Sequence, residues 1–271
     1  MIGRSAVPAE YRRWNKEWGA PFGFRVPGSL EHHHRLTDAD PARYGPFGFQ
    51  QTSFTRIVEY PWAFHTADLR PGLRVVDVGG WLSGFQVVLA KAGCSVVNVD
   101  PSEPADQRWT PDHRAAGADT HAETHRRFTA LFEVDVPLVR KRLQDAELAP
   151  GSVDRIFALS VLEHVGQAEA RDMLETMASA LAPGGLALLT IDLFLDLRPF
   201  GLLTRNYWGT NLDVRALLEG LGLELVAGDP AELLGFPEFD PRRVVDRVGE
   251  YNLSPLYPVM SQLVALRKPA P

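Results

Sequence analysis

Asp77, Asp100, Asp145, His164 and Asp192 each stand at or just beyond a short apolar run. These runs are RVVDVGG (74–80), SVVNVD (95–100), a segment ending in LQDA (143–146), FALSVLEH (157–164) and LLTID (188–192). A carboxylate at a strand end accepts hydrogen bonds from both hydroxyls of a ribose diol. Asp100 follows Asp77 by 23 residues, close to the spacing expected of such a ribose acid. The simpler role for it is a cap on the turn through Pro101 and Ser102. His164 titrates near neutrality by default, so it is a candidate general base, or else a residue that lines or supports the site. Asp192 is placed either to hold substrate or to cap a loop.

The turn VVDVGGWLSGF (75–85) narrows the ligand. A dinucleotide needs its pyrophosphate cradled by GxGxxG at a helix start. Here Gly79 opens G-G-W-L-S-G, so Trp81 takes the place of the second glycine. A Walker loop is also missing, because Phe85 and not lysine follows Gly84. The turn carries an acid, Asp77, and no base. A phosphate is disfavoured there, whereas a ligand with a cationic amino group and a cationic sulfur is not.

These residues need a particular scaffold. RVVDV (74–78) and SVVNV (95–99) are short, β-branched runs, and SGFQVVLAKAG (83–93) between them has helical spacing with Gly93 as its C′ residue. One helix between two such strands is a βαβ unit, so the strands must be parallel. Further strands are expected near the centre of 138–146, over 153–160, 186–195 and 223–227, and over 261–268. Helices are expected over 120–132, 168–181 (with Pro183-Gly184-Gly185 as its stop) and 212–222, with loop over 101–117. Thr55 to Leu69 has helical spacing, with Pro61 either starting a short helix or kinking a longer one. The pattern predicts an α/β fold: a doubly wound, mostly parallel, seven-stranded sheet with ligands at the carboxyl ends of the strands.

The run from Asp77 resembles the first motif of class I S-adenosyl-methionine-dependent methyltransferases, (D/E)-x-G-x-G-x-G, with Asp77 and Gly79 in register. QDAELAPGSVDRIFALSVLEHV (144–165) and ALAPGGLALLTIDL (180–193) are similar to later segments of that family. The resemblance covers about residues 70–228 and the last strand. It implies a Rossmann-like methyltransferase fold and S-adenosyl-L-methionine as cofactor. It also implies that Asp77, Gly79, Gly80 and Trp81 form the cofactor turn and that Asp100 and Pro101 meet the ribose. Asp145 and Ala146 then meet the adenine, and Ser160 and Val161 line the methyl donor. Trp81 and Ser83 depart from the family glycines, so the turn is expected to follow a different path. Trp81 is then either a wall of the site or a packed core residue. A nucleotide-dependent oxidoreductase and a non-catalytic protein of the same fold are the competing readings.

Residues 1–70 are expected to form an N-terminal lid with short helices. Residues 71–271 form the catalytic domain, and 228–260 a substrate-covering insertion. With 45% apolar residues a full core is expected, and a net charge of −6 gives no general attraction to nucleic acid or anionic membrane. The implied partner is a small-molecule substrate, with no nucleic acid and no membrane. One cysteine, Cys94, and no signal-like or membrane-length apolar run suggest a cytoplasmic protein. His121 and His125 share a helical face without the HExxH order, and His32-His33-His34 are consecutive, so no metal is predicted.

Overall fold

The computed structural model describes residues 1–24, 40–50, 52–101 and 121–270. The expectations for His32–His34 and for the loop beyond Pro101 lie outside these residues. The sheet has seven strands in the order β3-β2-β1-β4-β5-β7-β6. They are β1 (Arg74–Val78), β2 (Ser95–Val99), β3 (Leu138–Val139), β4 (Val153–Leu159), β5 (Leu181–Phe194), β6 (Glu224–Ala227) and β7 (Val259–Arg267). Strands β1 to β5 run parallel, and β7 runs antiparallel between β5 and β6. The order reverses at β1 and β4, so their carboxyl ends open the switch point where ligands bind in such sheets.

The central strands are buried along their length, as parallel strands covered on both faces must be. Helix α1 (Ala9–Trp18), α2 (Pro41–Tyr44) and α3 (Arg56–Thr66) precede the sheet. Helix α4 (Gly84–Lys91) crosses from β1 to β2 and stops at Gly93, whose φ of 86° supplies the left-handed C′ residue. Helices α5 (His121–Leu131), α6 (Leu162–Val165), α7 (Gln167–Ala180), α8 (Val214–Leu218) and α9 (Pro241–Asp246) complete the described helices. No helix among the described residues is long and apolar enough to cross a membrane.

Three local outcomes differ from the sequence pattern. The third strand is two residues long and gives way to a 3-10 turn at Leu143–Asp145. Helix α8 spans five residues, not the eleven of 212–222. Pro183-Gly184-Gly185 does not follow the helix as a separate turn. Strand β5 begins at Leu181, immediately after α7, and takes up these residues where its ladder with β4 is irregular between Val153 and Arg155. Of the two roles read for Pro61, starting a short helix fails, because it lies inside the longer helix α3. The carbonyl it leaves without an intrahelical N–H is that of Ile57, and Asn15 Nδ2 of α1 donates to this oxygen at 2.8 Å.

The N-terminal elements share the core of the sheet. Trp14, Phe47, Tyr60, Trp62 and Phe85 are buried in one cluster with β1 and β4 side chains. Residues 228–260 contain α9 and two 3-10 turns, each of the first two elements opened by an Asp-Pro pair: Asp229 and Asp240 cap the turns begun by Pro230 and Pro241. Glu232 is buried here and accepts from the Ile2 N–H and from Arg4, tying this segment to the first residues of the chain.

Candidate active site

The turn after β1 takes a left-handed path at two residues. Gly79 has φ 67° and Trp81 has φ 36°. A Cβ on Gly80 would lie 2.3 Å from Asp77 Oδ2, so only glycine lets the turn close over that acid. Asp77 is buried, and its Oδ2 has no hydrogen-bond partner. Burial raises its pKa to about 7, with the nearby Asp100 carboxylate adding to the rise and Arg56 opposing it.

Trp81 holds its place through both of its main-chain groups. Its N–H donates to Asp100 Oδ2 at 2.9 Å. Its carbonyl accepts from Gln86 Nε2 at 2.7 Å and from Asn98 Nδ2 at 3.1 Å. Gln86 Oε1 in turn meets His125 Nε2 at 2.7 Å, so that ring nitrogen carries the proton and His125 belongs to the support of the turn. The indole is 6% exposed and packs with Phe49, Leu82, Phe128 and Phe132. Of the two roles open in the sequence, the packed one describes its surroundings. Asp100 is buried at the end of β2, while Pro101 is exposed. Asp145 is exposed on its 3-10 turn, and Ala146 is half-buried beside it.

The ends of β4 and β5 carry a cluster that sequence reading recovers only in part. Ser160 also has a left-handed backbone, with φ 49°. Its hydroxyl lies 3.1 Å from Asp192 Oδ1, 3.2 Å from Glu59 Oε2 and 3.4 Å from Thr190 Oγ1. Thr190 donates to Glu59 Oε2 at 3.0 Å. Arg56 makes an ion pair with Glu59 and donates to Ser160. Glu59 and Asp192 thus meet at one hydroxyl at the end of β4. Burial raises the pKa of Asp192 well above the usual carboxylate range, and Glu163 and Glu59 push the same way. Asp192 is thus a buried member of this cluster rather than a loop cap.

Glu163, at the start of α6, is fully buried with no hydrogen bond to either carboxyl oxygen. Burial raises its pKa to about 8. The His164 side chain is half exposed; its Nε2 lies 4.0 Å from Glu163 Oε1 and its Nδ1 meets the Trp208 carbonyl. Trp208 stacks on Tyr257 at 5.0 Å between ring centroids, and the Tyr257 pKa is pushed up to about 12 by burial and by the Asp192 charge. Tyr207 is largely exposed. Arg56 and Glu59 were not singled out from the sequence. The signal was a glutamate inside an otherwise apolar helical stretch, RIVEYPWAF (56–64).

A family model for a methyltransferase domain matches residues 50–227. The chain belongs to this methyltransferase family. It is a class I S-adenosyl-methionine-dependent methyltransferase in fold, and its cofactor is S-adenosyl-L-methionine. The methyltransferase is 28% identical over 232 residues to an uncharacterised methyltransferase of Mycolicibacterium vanbaalenii, covering 77% of this chain and 81% of that one. Among solved structures it resembles the [4+2]-cyclase SpnF with a TM-score of 0.51 and 15% identity, over 82% of this chain and 87% of that chain. It also resembles the Burkholderia thailandensis 1,6-didemethyltoxoflavin-N1-methyltransferase with bound 1,6-didemethyltoxoflavin and S-adenosylhomocysteine. There the TM-score is 0.50 and the identity 16%, over 80% of this chain and 78% of that chain.

The residues of the methyltransferase fit its cofactor. Asp77 offers an orphaned, buried carboxyl oxygen under a glycine turn, which suits an ammonium group. Asp100 stands at the end of the neighbouring strand with an acid to offer a diol.

Proposed function

We propose that this protein transfers a methyl group from S-adenosyl-L-methionine to a small-molecule acceptor with an oxygen, nitrogen or carbon nucleophile. A secondary metabolite or a sugar is the acceptor class we favour, handled in the cytoplasm, with no nucleic acid involved. The observation that carries this reading is the orphaned Asp77 carboxyl at the glycine turn, with Asp100 bound to the same turn.

In this reading Asp77 holds the amino group of the methionine end and Asp100 the ribose hydroxyls. Asp145 and Ala146 flank the adenine, and Ser160 and Val161 border the transferring methyl group. The bound cofactor supplies an already activated leaving group, so orientation of the acceptor contributes much of the rate. A proton acceptor is needed where the nucleophile enters protonated. Asp192 is buried beside Ser160 and suits that role better than the half-exposed His164.

The fold also serves a cyclase among the solved structures, so fold alone does not fix methyl transfer. Calorimetry with S-adenosylhomocysteine tests the reading, with binding expected at micromolar concentrations. Absence of binding at several hundred micromolar would overturn it. Mass spectrometry of natively purified protein is expected to find a retained S-adenosyl species.

A further inference from the structure

The ends of β4 and β5 hold more carboxyl groups than their surroundings compensate. Glu59, Glu163 and Asp192 are all at least 96% buried, and Arg56 acts on the charge of both Glu163 and Asp192. Its guanidinium pairs with Glu59, reaches Ser160 and lies 5.6 Å from the centroid of the Tyr60 ring. Glu163 begins α6 just after β4, and Ser160 at the end of that strand bonds Asp192. Yet neither Glu163 oxygen, nor Glu59 Oε1, has a hydrogen-bond partner. A buried polar group without a partner costs about 1–3 kcal/mol, and more when it is charged. Carboxyls left in that condition beside a transfer site point to a ligand that supplies donors.

The position of the cluster separates it from the cofactor groups. Asp77 and Asp100 follow β1 and β2, whereas Ser160, Glu163 and Asp192 follow or end β4 and β5. The Arg56 guanidinium reaches in from α3, and its side chain is 14% exposed. We propose that Glu59, Glu163 and Asp192 form the acceptor subsite, that they receive the amino group of an amine acceptor, and that the Arg56 guanidinium now holds that amino group's place. This inference rests on the methyltransferase reading given above and narrows its acceptor to nitrogen.

The chemistry balances without a further reagent. The amine enters as an ammonium ion against the carboxylates, and Glu163 and Asp192 release to solvent the protons they held. An N–H proton of the ammonium then passes to the Asp192 carboxylate, and the freed lone pair attacks the methyl carbon. The C–S bond breaks with its electron pair going to sulfur. The products are the N-methylammonium ion and S-adenosylhomocysteine. Glu163 and Glu59 hold the charge in place throughout, and Tyr257, stacked on Trp208, walls the subsite.

The test uses full-length Arg56→Ala protein, with Arg56→Met as a second variant should alanine fail to fold. Methylguanidinium at about 20 mM should raise the Tm of the variant by several degrees over sodium at equal ionic strength, as mass action on the folded state requires. Neutral N-methylurea should not, and the rise should be lost when Glu163→Gln and Asp192→Asn are added. An equal rise with N-methylurea, or an equal rise in the wild type, overturns the proposal. In a second arm, labelled methyl donor is offered to primary amines and to the corresponding alcohols. Label in the amines supports the proposal, and label in the alcohols alone overturns it. S-adenosylhomocysteine binding to the wild type is measured alongside. Its failure would sink the methyltransferase reading, whereas its success with a failed rescue would sink only the amine subsite.

Discussion

The main-chain N–H of Trp81 donates to Asp100 Oδ2 at 2.9 Å. The acid after the second strand is therefore tied to the turn after the first. This bond places a bulky residue at a family glycine position without obstructing the turn. The backbone of Trp81 takes the left-handed conformation, and its side chain leaves toward Phe49, Phe128 and Phe132.

Asp100→Ala should weaken S-adenosylhomocysteine binding by roughly 1.5–3 kcal/mol, the range for losing charge-assisted bonds. That is about a 10- to 150-fold rise in Kd by calorimetry. Asp100→Asn keeps an acceptor for the Trp81 N–H and should fall between wild type and alanine. An unchanged affinity in the alanine variant would remove Asp100 from the ribose.

Trp81→Gly should act on stability more than on binding. Emptying a buried aromatic site costs about 3–5 kcal/mol. Glycine in a left-handed position returns part of this, roughly 1 kcal/mol. Urea unfolding should show the net loss, while the folded protein binds S-adenosylhomocysteine within about threefold of wild type. A drop of more than about tenfold in affinity would make the indole a wall of the site after all.

The βαβ unit was legible because its signals are local. RVVDV and SVVNV are buried along nearly their whole length, and Gly93 marks the end of the helix between them. The third strand was not, since two residues at a sheet edge carry too little pattern to read. Pro183-Gly184-Gly185 misled for a physical reason: breakers normally end an element, but here strand β5 absorbs them at an irregular ladder. In the site, Asp77, Ser160 and Asp192 were visible because strand ends are where such sheets act. Arg56 and Glu59 were not, because α3 meets Ser160 and Thr190 across more than 100 residues of chain. Periodicity cannot report a contact of that separation.

Glu163→Gln should alter the pH dependence of stability. The folded protein holds a proton on Glu163 up to about pH 8, while the unfolded chain releases it near the ordinary value of 4.5. Between these limits the folded state binds more protons, so the stability of the wild type falls as pH rises. The loss is absent below pH 4.5 and complete above pH 8. Its ceiling is about 5 kcal/mol. Asp77 pushes in the same direction up to about pH 7. Urea unfolding across this range should give a flatter curve for Glu163→Gln, with its largest advantage over wild type at alkaline pH. Identical slopes would show that another group carries the dependence.

Asn15 and Pro61 should be coupled. Pro61 has no N–H for the Ile57 carbonyl, and Asn15 Nδ2 supplies the missing donor at 2.8 Å. Asn15→Ala therefore leaves a part-buried carbonyl unpaired and should cost roughly 1–2 kcal/mol in urea unfolding. In a Pro61→Ala background the helix itself can donate to Ile57, so the same substitution should cost less. The double-mutant cycle should show a coupling of about 0.5–1.5 kcal/mol, as residues that share one acceptor do. A coupling near zero would mean that Asn15 contributes only by packing. S-adenosylhomocysteine affinity should stay within about twofold in Asn15→Ala, because the bond joins α1 to α3 and involves neither Asp77 nor Asp100.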